Sequence, residues 1–139
     1  YIQAPAAWDI CTGSASVLIA VVDTGVDYTH PDLSGRIVQG YDFYSNDSNP
    51  MDESNHGTPV AGIIGAATNN FIGIAGLTWN NPILAVKVFG PWGSSSYSVI
   101  AKGMTYAADR GARVANLSFG GPSSSTLKTA VDYAFSRGL

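Results

Sequence analysis

The sequence contains one cysteine, Cys11, so it can form no internal disulfide and no cysteine-based zinc cluster. Cys11 itself reads as a small buried hydrophobe rather than a reactive thiol. Charge is also scarce. Only 12% of the 139 residues are Asp, Glu, Lys or Arg, against about a quarter in an average soluble domain. The cationic residues number seven and are scattered, which argues against a nucleic-acid groove. No apolar run reaches the roughly 18–20 residues of a membrane span. No charged, apolar and cleavable leader opens the chain, which therefore reads as a mature or cut segment. Apolar residues, by contrast, make up 45% at a net charge of −3, too many for a disordered tail. So thin a polar coating implies a compact domain, or part of one, with some of its surface covered by something else.

Residues 17–22 form a continuous apolar, β-branched run that ends at Asp23, Thr24 and Gly25, the pattern of a strand buried on both faces. Residues 36–43, 82–89 and 113–118 predict three further strands. Helices are predicted over 56–68, 98–109 and 124–137, the last two stopped by Gly111 and Gly138, with serines at 123–125 as N-cap candidates. Strands alternating with helices predict an α/β fold, a parallel sheet with helices on both faces. Ligands in such sheets sit at the carboxyl ends of the strands. That rule selects Asp23, residues 89–97 and residues 118–121. The polar stretch 46–55, with three acids, predicts an exposed loop.

Asp23 alone could be a turn former bonding its own backbone. His56 alone could be a solvated or capping side chain. A histidine at a helix start feels the positive end of the helix dipole, which favours the neutral ring that a general base needs. Pro59 suits the first helical turn, where its missing N–H costs nothing. A carboxylate at a strand end and a histidine at a helix start are together two-thirds of a nucleophilic triad. The acid fixes the tautomer of the ring, and the ring takes the nucleophile's proton.

The segments Val21-Val22-Asp23-Thr24-Gly25, His30-Pro31-Asp32-Leu33 and His56-Gly57-Thr58, in that order, resemble the subtilisin-like serine proteases. Gly73-Ile74-Ala75-Gly76, Ile83-Leu84-Ala85-Val86-Lys87-Val88 and Asn116-Leu117-Ser118-Phe119-Gly120-Gly121-Pro122 continue the likeness. Ile2-Gln3-Ala4-Pro5 and Tyr41-Asp42-Phe43 look closest to the thermitase branch. Pro59 and Val60 depart from the family pattern at positions outside the triad.

The resemblance implies a three-layer α/β/α subtilisin-like fold and an Asp-His-Ser serine endopeptidase in which Asp23 and His56 are acid and base. It implies a substrate backbone held between two edges, Gly93, Ser94 and Ser95 on one side and Ser118, Phe119 and Gly120 on the other, as an added β-strand. Phe119 and Trp92 would favour apolar substrate side chains, or simply pack. Polypeptides are the implied substrates, a propeptide a further partner, and secretion the implied location, with an intracellular one as the alternative. Neither nucleic acid nor membrane is an expected partner.

The family carries its nucleophile in a Gly-Thr-Ser motif and its oxyanion-hole asparagine after an Ala-Ala-Gly-Asn-like segment, and neither motif occurs in this sequence. The family's sheet is ordered 2-3-1-4-5-6-7, of which residues 1–139 would supply 2-3-1-4, about four of seven central strands. The expectation is the N-terminal part of one catalytic domain, inactive alone and completed by a C-terminal remainder. The resemblance also implies calcium. One site would use Asp32, the Asn70 side chain and the carbonyls of Ala67, Ile72 and Ile74. A second would use Asp42, Asp47 and Asn49, whose plainer reading is a solvated acidic loop.

Two other classes compete. Asp23-Thr24-Gly25 is also the catalytic triplet of aspartic proteases, but those folds are almost wholly β, whereas 98–110 and 124–137 have helical periodicity. A non-catalytic half-domain or pseudo-protease remnant would explain the missing serine.

Overall fold

The computed structural model describes residues 2–139. Four strands, β1 (Ile19–Asp23), β2 (Ile37–Asp42), β3 (Ile83–Lys87) and β4 (Val114–Asn116), form one parallel sheet in the order β2-β3-β1-β4. The helices are α1 (Ala4–Trp8), α2 (Gly57–Gly65), α3 (Tyr97–Asp109) and α4 (Ser125–Ser136). This is the expected α/β arrangement, with each predicted strand and helix in place.

The central strands explain the continuous apolar runs. Every residue of β1 and β3 is buried, because each strand has a neighbour on both sides and a helical layer on both faces. Side chains alternate between the layers. Ala20, Val22, Leu84 and Val86 pack with Ile100, Met104 and Ala107 of α3 and Ala130 of α4. Val21, Ile83 and Ala85 pack on the other face with Val26, Leu33 and Ala61 of α2. The N-cap serines behave as their residue type predicts, Ser96 Oγ accepting from Val99 N and Ser124 Oγ from Leu127 N.

Three expectations need correction. β4 is half the predicted length, and residues 117–121 continue from it without regular structure or a backbone partner among the described residues. Cys11 is exposed rather than buried, in the turn after α1, where its Sγ accepts from Gly13 N at 3.3 Å. Stretch 46–55 is exposed through Asn49 and again at Glu53 and Asn55, but not throughout. Pro50 is buried, and Met51, Asp52 and Ser54 are half-buried against the sheet end. That second half is drawn in by Lys87, 1% exposed at the end of β3, whose Nζ donates to Met51 O at 2.9 Å and to Glu53 Oε2 at 3.0 Å.

Both flanks of the sheet leave apolar surface uncovered. Leu117, Val131 and Phe135 surround a hollow beside β4, with Phe135 81% exposed. Ile63, Phe71, Ile72 and Ile74 do the same beyond α2. The low charge of the sequence is therefore not matched by complete burial of its apolar residues.

Candidate active site

Asp23 ends β1, one of the two inner strands, with its carboxylate at the carboxyl edge of the sheet and 1% exposed. His56 occupies the N-cap position of α2, and its side chain makes no capping hydrogen bond. The ring turns instead to the strand end, where Nδ1 lies 2.7 Å from Asp23 Oδ1. A carboxylate can only accept, so the ring donates and its proton sits on Nδ1. In the neutral form of the ring, Nε2 is then the lone-pair nitrogen. It has no side-chain partner among the described residues, and the His56 side chain is 53% exposed. Asp23 Oδ1 also accepts from Thr24 N at 2.7 Å, while Asp23 Oδ2 is buried and unpartnered among the described residues.

This close approach depends on Gly57. A Cβ there would fall 2.0 Å from Gly25 O and 3.1 Å from Asp23 Cβ. Only a residue without a side chain lets α2 begin against the strand end. Gly57 N donates to Thr24 Oγ1 at 2.9 Å, tying the same two segments by a second bond.

The pair opens onto a crevice of about 230 Å³ lined by Asp23, Thr24, Ser54, His56, Phe89, Gly93, Ser118 and Phe119. Of the residues expected at the substrate edges, Gly93, Ser118 and Phe119 are brought together here. Ser94, Ser95 and Gly120 adjoin them in sequence but do not line the crevice. Phe119 stacks edge-on against Phe89 with ring centroids 5.0 Å apart. Trp92 is 89% exposed and belongs to neither the core nor the crevice lining. Ser54 and Asp52 carry no signature in the sequence, and Thr24 stands out there only within the Asp23-Thr24-Gly25 motif. Each is an ordinary loop residue there, and only the return of the chain to the strand end gives it a partner. A larger hollow of about 340 Å³ beyond α2 is lined mainly by apolar atoms of Leu33, Pro59, Ile63, Ala66 and Ile74 and lies outside this crevice.

Asp32 is buried and accepts from Asn70 Nδ2 at 2.7 Å and Ile74 N at 2.9 Å. Those bonds, the Asn70 amide first, hold its carboxyl below the ordinary value of 3.8. The loop reaches it by left-handed turns at Asn69, Phe71 and Gly73, the Phe71 backbone being strained for a bulky side chain. A Cβ at Gly73 would fall 2.0 Å from Asp32 Oδ2. The carbonyls of Ala67, Ile72 and Ile74 accept no hydrogen bond among the described residues. One carboxylate, one amide and three free carbonyls in a curled loop fit a hard cation such as calcium. Both Asp32 oxygens are themselves engaged and Asn70 Oδ1 accepts from Ile72 N at 3.4 Å, so the first loop's advantage lies in its free carbonyls, whereas the second loop's expected donors are side chains alone. Asp42 Oδ1 is spent on the N–H groups of Tyr44 and Ser45, Asp47 Oδ1 on that of Asn49, and Asn49 Oδ1 on the Tyr28 hydroxyl. Asp42 and Asp47 also pair through their backbones, so these acids shape a turn.

The architecture and the crevice define a parallel α/β protein with a histidine–carboxylate pair at its strand ends. The chain belongs to the subtilase family, whose model, described as "Subtilase family", matches residues 14–138. The chain is 55% identical over 133 residues to the "Thermophilic serine proteinase" of Bacillus sp. (strain AK1), covering 95% of this chain and 33% of that protein. It is 52% identical over 138 residues to "Thermitase" of Thermoactinomyces vulgaris, covering 99% of this chain and 49% of that one. A solved structure described as a cold adapted subtilisin-like serine proteinase superposes with a TM-score of 0.79 at 37% identity, covering 88% of this chain and 43% of the other. The chain thus spans half or less of the length of these relatives. The aspartic-protease alternative falls away. The fold is parallel α/β with helices, and Asp23 bonds a histidine rather than a second carboxylate.

Proposed function

We propose that these residues form the N-terminal part of a subtilisin-like serine endopeptidase domain and supply the acid and base of its triad. The observation that carries this reading is the 2.7 Å bond from His56 Nδ1 to Asp23 Oδ1 at the end of the central strand. Asp23 holds the ring in one tautomer and balances the charge it gains. Nε2 takes the proton of a serine hydroxyl as that oxygen attacks the peptide carbonyl, then returns it to the leaving amine. The serine and the oxyanion donor come from a C-terminal remainder of the domain. The unpaired edge of β4 and the exposed Val131 and Phe135 of α4 support such a neighbour, as does the greater length of the relatives. The unpaired backbone at 117–121 and the turn at 93–95 would grip a polypeptide substrate from either side as an added strand.

The test is hydrolysis of a chromogenic peptide by the full-length protein, with inactivation by a serine-directed phosphonate. The isolated residues 1–139 should show no turnover. Full-length protein that neither cleaves the peptide nor reacts with the phosphonate would overturn the endopeptidase reading and favour a pseudo-protease. Turnover by residues 1–139 alone would place the nucleophile within them.

We further propose that Asp32, Asn70 and the carbonyls of Ala67, Ile72 and Ile74 hold a calcium ion that supplies no chemistry to peptide hydrolysis and fixes the 67–74 loop. Calcium at a hundredfold excess over its dissociation constant should raise stability by about 2.7 kcal/mol. Thermal unfolding of the full-length protein in calcium and in chelator reads this directly, and Asp32→Asn should shrink the difference. Equal midpoints in the two buffers would remove the metal. We propose no ion at Asp42, Asp47 and Asn49. Secretion is proposed on the family resemblance, and no described helix is long and apolar enough to cross a membrane.

A further inference from the structure

His56 stands where a helix normally places its capping side chain, yet its ring is committed to Asp23. The first N–H groups of α2 must therefore find acceptors elsewhere. Gly57 N is taken by Thr24 Oγ1 at 2.9 Å and Thr58 N by Asp52 Oδ2 at 2.9 Å. The Asp52 carboxylate does more than this. Its Oδ1 accepts from Thr24 Oγ1 at 2.8 Å and from the N–H groups of Ser54 and Asn55 at 3.0 and 3.1 Å. Its Oδ2 also accepts from Thr58 Oγ1 at 2.6 Å, and that hydroxyl in turn accepts from Asp27 N at 2.9 Å. One side chain thereby joins the strand end at 24, the two residues before His56 and the helix start after it.

We propose that Asp52 is a positioning residue for the His56–Asp23 pair: it caps α2 in place of His56 and so frees the imidazole to bond Asp23. The inference rests on the endopeptidase reading only for its kinetic consequence. Burial opposes the charge on Asp52, but the bonds from the Thr58 hydroxyl, Ser54 N, Thr58 N and Thr24 outweigh it and hold the carboxyl below its ordinary value. It is thus an ionised, fivefold acceptor near neutral pH, and its negative charge suits the positive end of the α2 dipole. Asp52 touches neither Asp23 nor His56 by hydrogen bond, so its effect is on geometry.

The test uses full-length protein carrying Asp52→Asn, Thr58→Val or Thr58→Ser. Asn keeps the shape of Asp but can turn an NH2 toward the Thr58 N–H. Misplacing a catalytic group by about 1 Å can cost on the order of 100-fold in rate. Accordingly, kcat for a peptide should fall roughly 10- to 100-fold in Asp52→Asn, with KM within about twofold. The deshielded His56 Nδ1 proton, followed by NMR without substrate, should shift or broaden. Thr58→Val should change both in the same direction, and Thr58→Ser, which keeps the hydroxyl, should largely restore them. Folded variants with unchanged kcat and an unchanged proton signal would overturn the inference. So would losses that merely follow the folded fraction and are equal in Thr58→Ser and Thr58→Val. If Asp52→Asn does not fold, the Thr58 pair decides. If the wild-type protein hydrolyses nothing, the endopeptidase reading fails on its own, and the proton signal still tests the positioning.

Discussion

On the proposed endopeptidase function, His56→Ala in the full-length protein is expected to lower kcat by roughly 10⁴- to 10⁶-fold, a magnitude that rests on triad substitutions in subtilisins themselves. The argument is one of connectivity. His56 is the side chain bonded to Asp23, and it lines the open crevice. Without the ring, Asp23 is a buried carboxylate with no route to a nucleophile, and no other described side chain replaces it. KM should change little, because the proposed substrate edges at 93–95 and 118–120 remain. Stability should change little too, since the His56 side chain is half exposed and caps nothing. Steady-state kinetics and a melting curve on the same sample check both halves. Activity within tenfold of wild type would show that His56 is not the base.

Gly57→Ala should damage both stability and rate, by a different route. The added methyl would meet Gly25 O at 2.0 Å, and a backbone carbonyl cannot rotate away as a flexible side chain can. Either the strand end or the helix must move. Both choices lengthen the His56–Asp23 bond and loosen the Gly57 N bond to Thr24. Overpacking of this kind costs roughly 3 kcal/mol, and the displacement adds a fall in kcat of about 100-fold. Chemical unfolding and kinetics on the variant would read the two effects separately. Wild-type stability together with wild-type kcat would mean that the strand end and α2 yield more easily than their packing implies.

Much of this was readable in the sequence, and the parts that were not share a cause. The β1 run and the α3 and α4 periodicities report burial, which acts on each residue through its own side chain. Hence strand order, helix positions and the Asp23–His56 pairing follow from local pattern and family motif. Asp52 has no such signature. In sequence it is one of three acids in a polar loop, and its role exists only because residues 24 and 58 arrive beside it. Cys11 shows the same limit from the other side. Its residue type is usually buried, but it falls in a turn after the short helix α1, which contributes no buried residue to hold it inside. That helix was itself missed, as its five residues carry no amphipathic stripe.

The strand order also bears on how the chain reaches this structure. In the sheet Ile19 lies opposite Ile83 on one side and Val114 on the other, so neither neighbour of β1 can be recruited by a hairpin. The most apolar strand must wait, unpaired, until distant segments close upon it, and the entropy of those long loops is spent before any ladder bond forms. Like every strand of this parallel sheet, the segment that ends in Asp23 gains its partners only through long-range contacts. The carboxylate proposed for the triad therefore sits on a strand whose place is set by segments distant in sequence on both sides.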